Sequence, residues 1–122
     1  MQSEWIEYQG KKYIYINFSG FKADLAPLKI ELTAVEKLWP PNCPPKSVLV
    51  MVDFRGTFLS PESVMLIKDH IASTDKEVRK TAVVGLTGVR KALFNVFTAL
   101  SSAQVDGFDD IQSAQAWLTA SK

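Results

Sequence analysis

Val48, Leu49, Val50, Met51 and Val52 follow one another with no polar residue between them. A strand with water on one face alternates apolar and polar side chains. An unbroken run therefore predicts a strand covered on both faces, in the middle of a parallel-type sheet. A polar corner follows at Asp53–Ser60, and Ser60-Pro61-Glu62 then starts a helix. Ser60 offers a capping hydroxyl, Pro61 a preset φ, and Glu62 an acid beside the positive end of the dipole. In open sheets of this kind, ligands and partners are met at the loops leaving the carboxyl ends of central strands.

The flanking segments extend the same plan. Trp5–Tyr8 and Tyr13–Phe18 are aromatic and β-branched and flank Gln9-Gly10-Lys11-Lys12, which predicts an antiparallel hairpin. Asp24 is placed to cap a helix with the stripe Leu28, Leu32, Val35 and Trp39, ended by Pro40, Pro41, Pro44 and Pro45. On the second helix Val64, Ile67 and Ile71 turn inward. Ser73–Lys80 returns the chain, and Thr81–Leu86 is a second buried strand. Thr87-Gly88 opens a third helix with Val89, Leu93, Val96 and Leu100 on one face. Val105–Phe108 is a short last strand. Asp109 with Gln112 forms a capping box for a fourth helix that carries Ile111, Ala114, Trp117 and Leu118 inward. The order ββαβαβαβα predicts a single α/β domain over residues 1–122, with a mixed, mostly parallel five-stranded sheet.

Composition narrows the roles open to such a domain. The 122 residues, 47% of them hydrophobic, supply one core. A net charge of +1 sets up no global field toward nucleic acid or an anionic membrane. Cys43 is the single cysteine, so no internal disulfide forms, which suits a reducing compartment. The apolar run Val48–Val52 falls far short of the roughly 20 residues a membrane span needs. Met1-Gln2-Ser3-Glu4 has neither the basic start nor the apolar block of a secretory signal. A cytoplasmic protein with no membrane span and no nucleic-acid ligand is expected.

No catalytic, metal or cofactor site is expected either. There is no GxxxxGK[ST] loop, no GxSxG elbow and no metal-ligand spacing. His70, the sole histidine, reads as a surface residue. Asp109-Asp110 reads as a helix start, and Asp53 as a strand-end carboxylate that accepts bonds from loop amides.

Three segments, Val48–Gly56 (VLVMVDFRG), Val83–Leu93 (VVGLTGVRKAL) and Phe108–Leu118 (FDDIQSAQAWL), carry a family likeness together with the element order. The chain resembles the STAS domain, named for sulfate transporters and anti-sigma-factor antagonists, and more narrowly its small stand-alone SpoIIAA-like bacterial members. The resemblance implies a regulatory domain that binds a protein partner. In the antagonists, a serine at the start of the helix after the central strand is phosphorylated, and the added charge breaks the complex. The pattern there is Asp, any residue, Ser, Gly, four residues, then Asp-Ser-Ser-Gly. Asp53 and Gly56 match it, but Arg55 stands in place of the first serine. Pro61, Glu62, Ser63 and Val64 occupy the last four positions, so Ser63 is the one serine that matches. The phosphoswitch does not carry over one for one.

Two candidate surfaces follow. The second and third helices start at one edge of the sheet. Their first-turn amides, with Thr57, Ser60, Thr87 and Gly88, form a region of positive potential beside Asp53 and Gly56. Arg90 and Lys91 sit in the first turn of the third helix, where the dipole disfavours cations. An anionic ligand or acidic partner is one reading, and two solvated bases are the other. Met65 and Leu66 on the second helix, and Phe94 and Phe97 on the third, lie off the inward stripes. Brought together, they would make an apolar patch for a protein partner, a homodimer contact or a lipid-like ligand. Ordinary helix packing would explain them as well. A non-catalytic protein-interaction domain is the preferred reading, and a carrier or sensor of a small apolar or lipid-like ligand is the alternative.

Overall fold

The computed structural model of the protein describes residues 3–20, 25–39, 44–55, 61–85 and 104–120, with the backbone alone for Pro61, Ser63, Val64, Ile71 and Asp75. Its first element pair is the expected hairpin, β1 (Glu4–Tyr8) against β2 (Lys11–Asn17), antiparallel with Tyr8 opposite Lys11. The turn is tighter than the sequence suggested. Gln9 and Gly10 alone make it, with φ of 51° and 81°, the paired left-handed conformation whose twist suits a two-residue hairpin. Lys11 and Lys12 are already in the strand.

Then come α1 (Leu25–Leu38), β3 (Val48–Asp53), α2 (Pro61–Thr74), a short 3₁₀ turn (Asp75–Glu77) and β4 (Val78–Val84). β5 (Gln104–Phe108) and α3 (Ile111–Leu118) complete the described chain. The helix expected from Thr87, the capping residues Asp24 and Ser60, and Cys43 lie outside the described residues. The five strands lie side by side in chain order, β1-β2-β3-β4-β5, and β2 to β5 are parallel.

β3 is therefore the middle strand, and both of its faces are covered. Val48, Val50 and Val52 pack with Ile14 and Ile16 of β2, with Leu28, Leu32 and Val35 of α1 and with Ile67 of α2. Met51, on the opposite face, packs with Tyr13, Ala82 and Val84, and with Ala114 and Leu118 of α3. Ile111 and Trp117 lean on that second cluster, as their spacing suggested. α1 also buries Glu31, which accepts the Ser3 amide at 2.7 Å, while Ser3 Oγ accepts the Asn17 amide at 3.0 Å. These bonds pin the start of the hairpin to the helix layer.

Three expectations are corrected. β4 begins at Val78, not Thr81, because Val78 is buried in the core and the amides of Lys46 and Ser47 bond to the carbonyls of Lys76 and Glu77. The charged pair Arg79-Lys80 hides that start from a hydrophobicity reading. α3 is capped by Asp110 rather than Asp109. Asp110 is extended (φ −139°, ψ 162°), and its carboxylate accepts the Ser113 amide at 2.7 Å. His70 is not a plain surface residue. It is half-buried beside Trp39, which meets it edge-on with centroids 6.0 Å apart. Burial pushes its imidazole below the ordinary pKa, against an opposing pull from Glu36.

Met51, fully buried in the strand on which both cores depend, gives a direct test. Met51→Ala leaves a cavity and is expected to lower the unfolding free energy by about 2–5 kcal/mol in urea titrations.

Candidate binding surface at the carboxyl edge of the sheet

β3 ends on Asp53, which sits between Asn17 of β2 and Val84 of β4 and has no exposed surface. The period of two along the strand puts its side chain on the Met51 side of the sheet. Tyr15, opposite Met51 on β2, reaches diagonally along that face, and its phenol donates to Asp53 Oδ2 at 2.6 Å. The chain then turns back on the same carboxylate. Arg55 gives its amide to Oδ1 at 3.0 Å, a turn in which an aspartate bonds the backbone two residues on. Its guanidinium grips both oxygens, with Nε 3.0 Å from Oδ1 and Nη2 2.9 Å from Oδ2.

The backbone around this tie is joined to its neighbours. The Phe18 amide donates to Asp53 O and the Gly20 amide to Arg55 O, both at 2.9 Å. The Phe54 amide donates to Val84 O at 2.9 Å. Gly85 permits the close approach: its φ is +89°, and a Cβ there would stand 2.8 Å from Arg55 Cγ and 2.9 Å from the Arg55 amide nitrogen. Any larger residue would collide with the arm that holds Asp53.

The electrostatics follow from this packing. Burial by itself raises the pKa of Asp53, but hydrogen bonds from the Arg55 side chain, Tyr15 and the Arg55 amide outweigh it, and the carboxyl is held below its ordinary 3.8. Burial, and the carboxylate it bonds, push the Tyr15 phenol upward. At neutral pH the site is therefore a charged carboxylate, a protonated phenol and a guanidinium whose side chain is half exposed. A carboxylate held this way is a poor general base. The arrangement fixes a corner and presents one face of an arginine to solvent.

The second feature is a groove between α1 and α2. Leu25 and Lys29 line it from one helix, and Glu62, Met65, Leu66 and Asp69 from the other, around about 500 Å³ of open space. It continues past Leu32, Thr33, Glu36 and His70 as a further cleft of about 380 Å³. Met65 is 61% exposed and stands on the rim of this groove, beside Leu25 and Leu66. Leu66, expected far from the inward stripe, is half-buried and packs on the core, because its flank of α2 faces α1.

Of the residues singled out in the sequence, Asp53, Met65 and Leu66 are placed, and the backbone of Ser63 lies in the first turn of α2. Gly56, Thr57, Ser60, Thr87, Gly88, Arg90, Lys91, Phe94 and Phe97 lie outside the described residues. Tyr15 and Arg55 were not singled out as partners of Asp53. The spacing Asp-x-Arg at a strand end was the available signal for Arg55, whereas Tyr15 needed the register of β2 on β3. Among the described residues, no group of three or more His, Cys, Asp or Glu side chains is arranged to hold a metal ion. Among them too, no helix is long and apolar enough to cross a membrane.

No family model matches the chain, and no curated protein matches it. Among solved structures it is similar to an uncharacterized protein from the DUF3478 family with a SpoIIAA-like fold, from Shewanella loihica PV-4. The two share 13% sequence identity, with a TM-score of 0.68 over 95% of this chain and 91% of that one. The fold is SpoIIAA-like. This agrees with the STAS resemblance of the sequence. In the SpoIIAA-like frame, the corner held by Asp53 and Arg55 is the exit of the central strand.

Replacing Asp53 by Asn leaves Arg55 without its counter-charge and is expected to destabilise the protein by about 1–3 kcal/mol. Because the folded-state pKa is depressed, the carboxylate stabilises the fold above its ordinary pKa. That stabilisation is lost as pH falls through the lower folded value. The gap in unfolding free energy between wild type and Asp53→Asn is therefore expected to stay level from neutral pH down toward 3.8 and to shrink below it, as read by denaturant titrations at stepped pH.

Proposed function

We propose that this chain is a non-catalytic interaction domain with a regulatory role, docking a protein partner through the corner after β3 and the exposed side of α2. Arg90 and Lys91 would add positive charge to the same surface. The observation that carries this reading is the exposure of Met65 on an open groove at the start of α2, the helix that follows the fixed corner. A large apolar side chain on the rim of a groove, flanked by Lys29, Glu62 and Asp69, has the make-up of a docking surface, with an apolar centre and a polar rim. The SpoIIAA-like fold is compatible with that role.

A phosphoserine switch is not part of the proposal. Arg55 stands at the serine position, and its guanidinium is committed to Asp53. Carriage of a small apolar or lipid-like molecule is the competing reading. The groove beside Met65 opens broadly to solvent, which suits a protein surface better than a small ligand that must be hidden from water.

A photo-crosslinking residue at position 65, with Gln112 on α3 as the control site, tests the choice. In host extract, a discrete protein adduct is expected at position 65 and not at 112, reduced by excess unlabelled protein. Equal labelling at both sites, or a lipid adduct in native mass spectrometry with no protein adduct, would overturn the proposal.

A further inference from the structure

The parallel strands begin at the edge of the sheet opposite Asp53, and that edge is basic. Lys11 and Lys12 open β2, Lys46 and Ser47 precede β3, and Arg79 and Lys80 lie near the start of β4. These residues surround a cavity of about 260 Å³. The carboxyl end of α3 borders it. Lys80 Nζ donates to Trp117 O at 3.3 Å and stands 5.1 Å from the centroid of the Trp117 ring. Lys11 Nζ donates to Ala120 O at 3.3 Å. A helix carboxyl end is a favourable place for these two cations.

It does not account for Lys12 and Arg79. No carboxylate is among the described residues that line the cavity. Among the described residues, none of Lys12, Arg79 and Lys80 makes an ion pair. Glu7, opposite Lys12 in the hairpin register, makes none with it either. Lys80 decides the matter. It is 3% exposed, and its ammonium, a group with three donors, has one carbonyl acceptor and one ring face. Burial, Arg79 and Lys11 all act to push its pKa down. A cation set among like charges is stabilised when an opposite charge joins it.

We propose that this cavity binds a small, multiply charged, phosphate-bearing molecule, with Lys80 as the anchor and Lys12 and Arg79 at the rim. A phosphate group carries more negative charge than a carboxylate and has several strong acceptor oxygens, which matches several separate cationic donors. The cavity is sized for one or two phosphoryl groups, not for a nucleic-acid strand. The site lies across the sheet from the corner and groove proposed for the protein partner, so either can fail without the other.

Titration of the full chain with inorganic pyrophosphate, followed by amide NMR shifts at about 0.15 M salt, tests it. Saturable shifts are expected at residues 11–12, 46–49 and 79–80. The rim variant Lys12→Ala/Arg79→Ala is expected to weaken binding about tenfold or more while keeping the wild-type spectrum elsewhere. Lys80→Met keeps an unbranched side chain of similar length while removing the charge, and is expected to lose binding without loss of thermal stability. Absence of saturation by about 10 mM, or unchanged affinity in the rim variant, would overturn the proposal. If Lys80→Met does not fold, the rim variant still decides.

Discussion

A charge with no exposed surface holds the carboxyl edge of this protein together. Asp53 ends a strand whose two faces are both covered, where an ionised carboxylate is stable only if its oxygens are bonded. Tyr15 and two groups of Arg55 bond them. The consequence reaches the neighbouring strands. The Arg55 carbonyl accepts the Gly20 amide after β2, and the Arg55 stem lies against Gly85 after β4. The chain segments leaving three adjacent strands are thus referred to one ion pair. A surface built on those exits inherits a fixed starting geometry, which is what a docking site needs if it is not to lose ordering entropy on binding.

The two ends of the same sheet differ in how their charges are matched. At the carboxyl ends, the buried carboxylate and the arginine neutralise each other. At the amino ends, lysines and an arginine from β2, β4 and the turn before β3 converge, and carbonyls at the end of α3 accept from Lys11 and Lys80. The net charge of +1 conceals this, because a sum over the chain carries no information on where the charges meet.

Much of the fold was legible in the sequence. The uninterrupted Val48–Val52 run announced a strand covered on both faces, and β3 is the middle strand. Leu28, Leu32 and Val35 fell on one helical stripe and are buried. Boundaries were less legible where polar residues do apolar work. Arg79 and Lys80 disguised the start of β4, although Lys80 is almost wholly covered and its ammonium stands over the Trp117 ring. The caps at Asp109 and Asp110 were one residue apart, and local pattern could not choose between two adjacent aspartates. The site was read in part. Asp53 was singled out, but the partnership with Tyr15 depends on β2 lying beside β3 in a register that no local pattern encodes. The basic cavity needed still more, since its residues are adjacent only after three strands and a helix end have met.

The most direct measurement of the central tie is the pKa of the Asp53 carboxyl in the folded protein, followed by carbon NMR across acid pH. A midpoint below 3.8 is expected, because the bonds from Arg55 and Tyr15 outweigh burial. A midpoint at or above that value would mean that burial wins over the bonds from Tyr15 and Arg55. The corner would then not be held by charge.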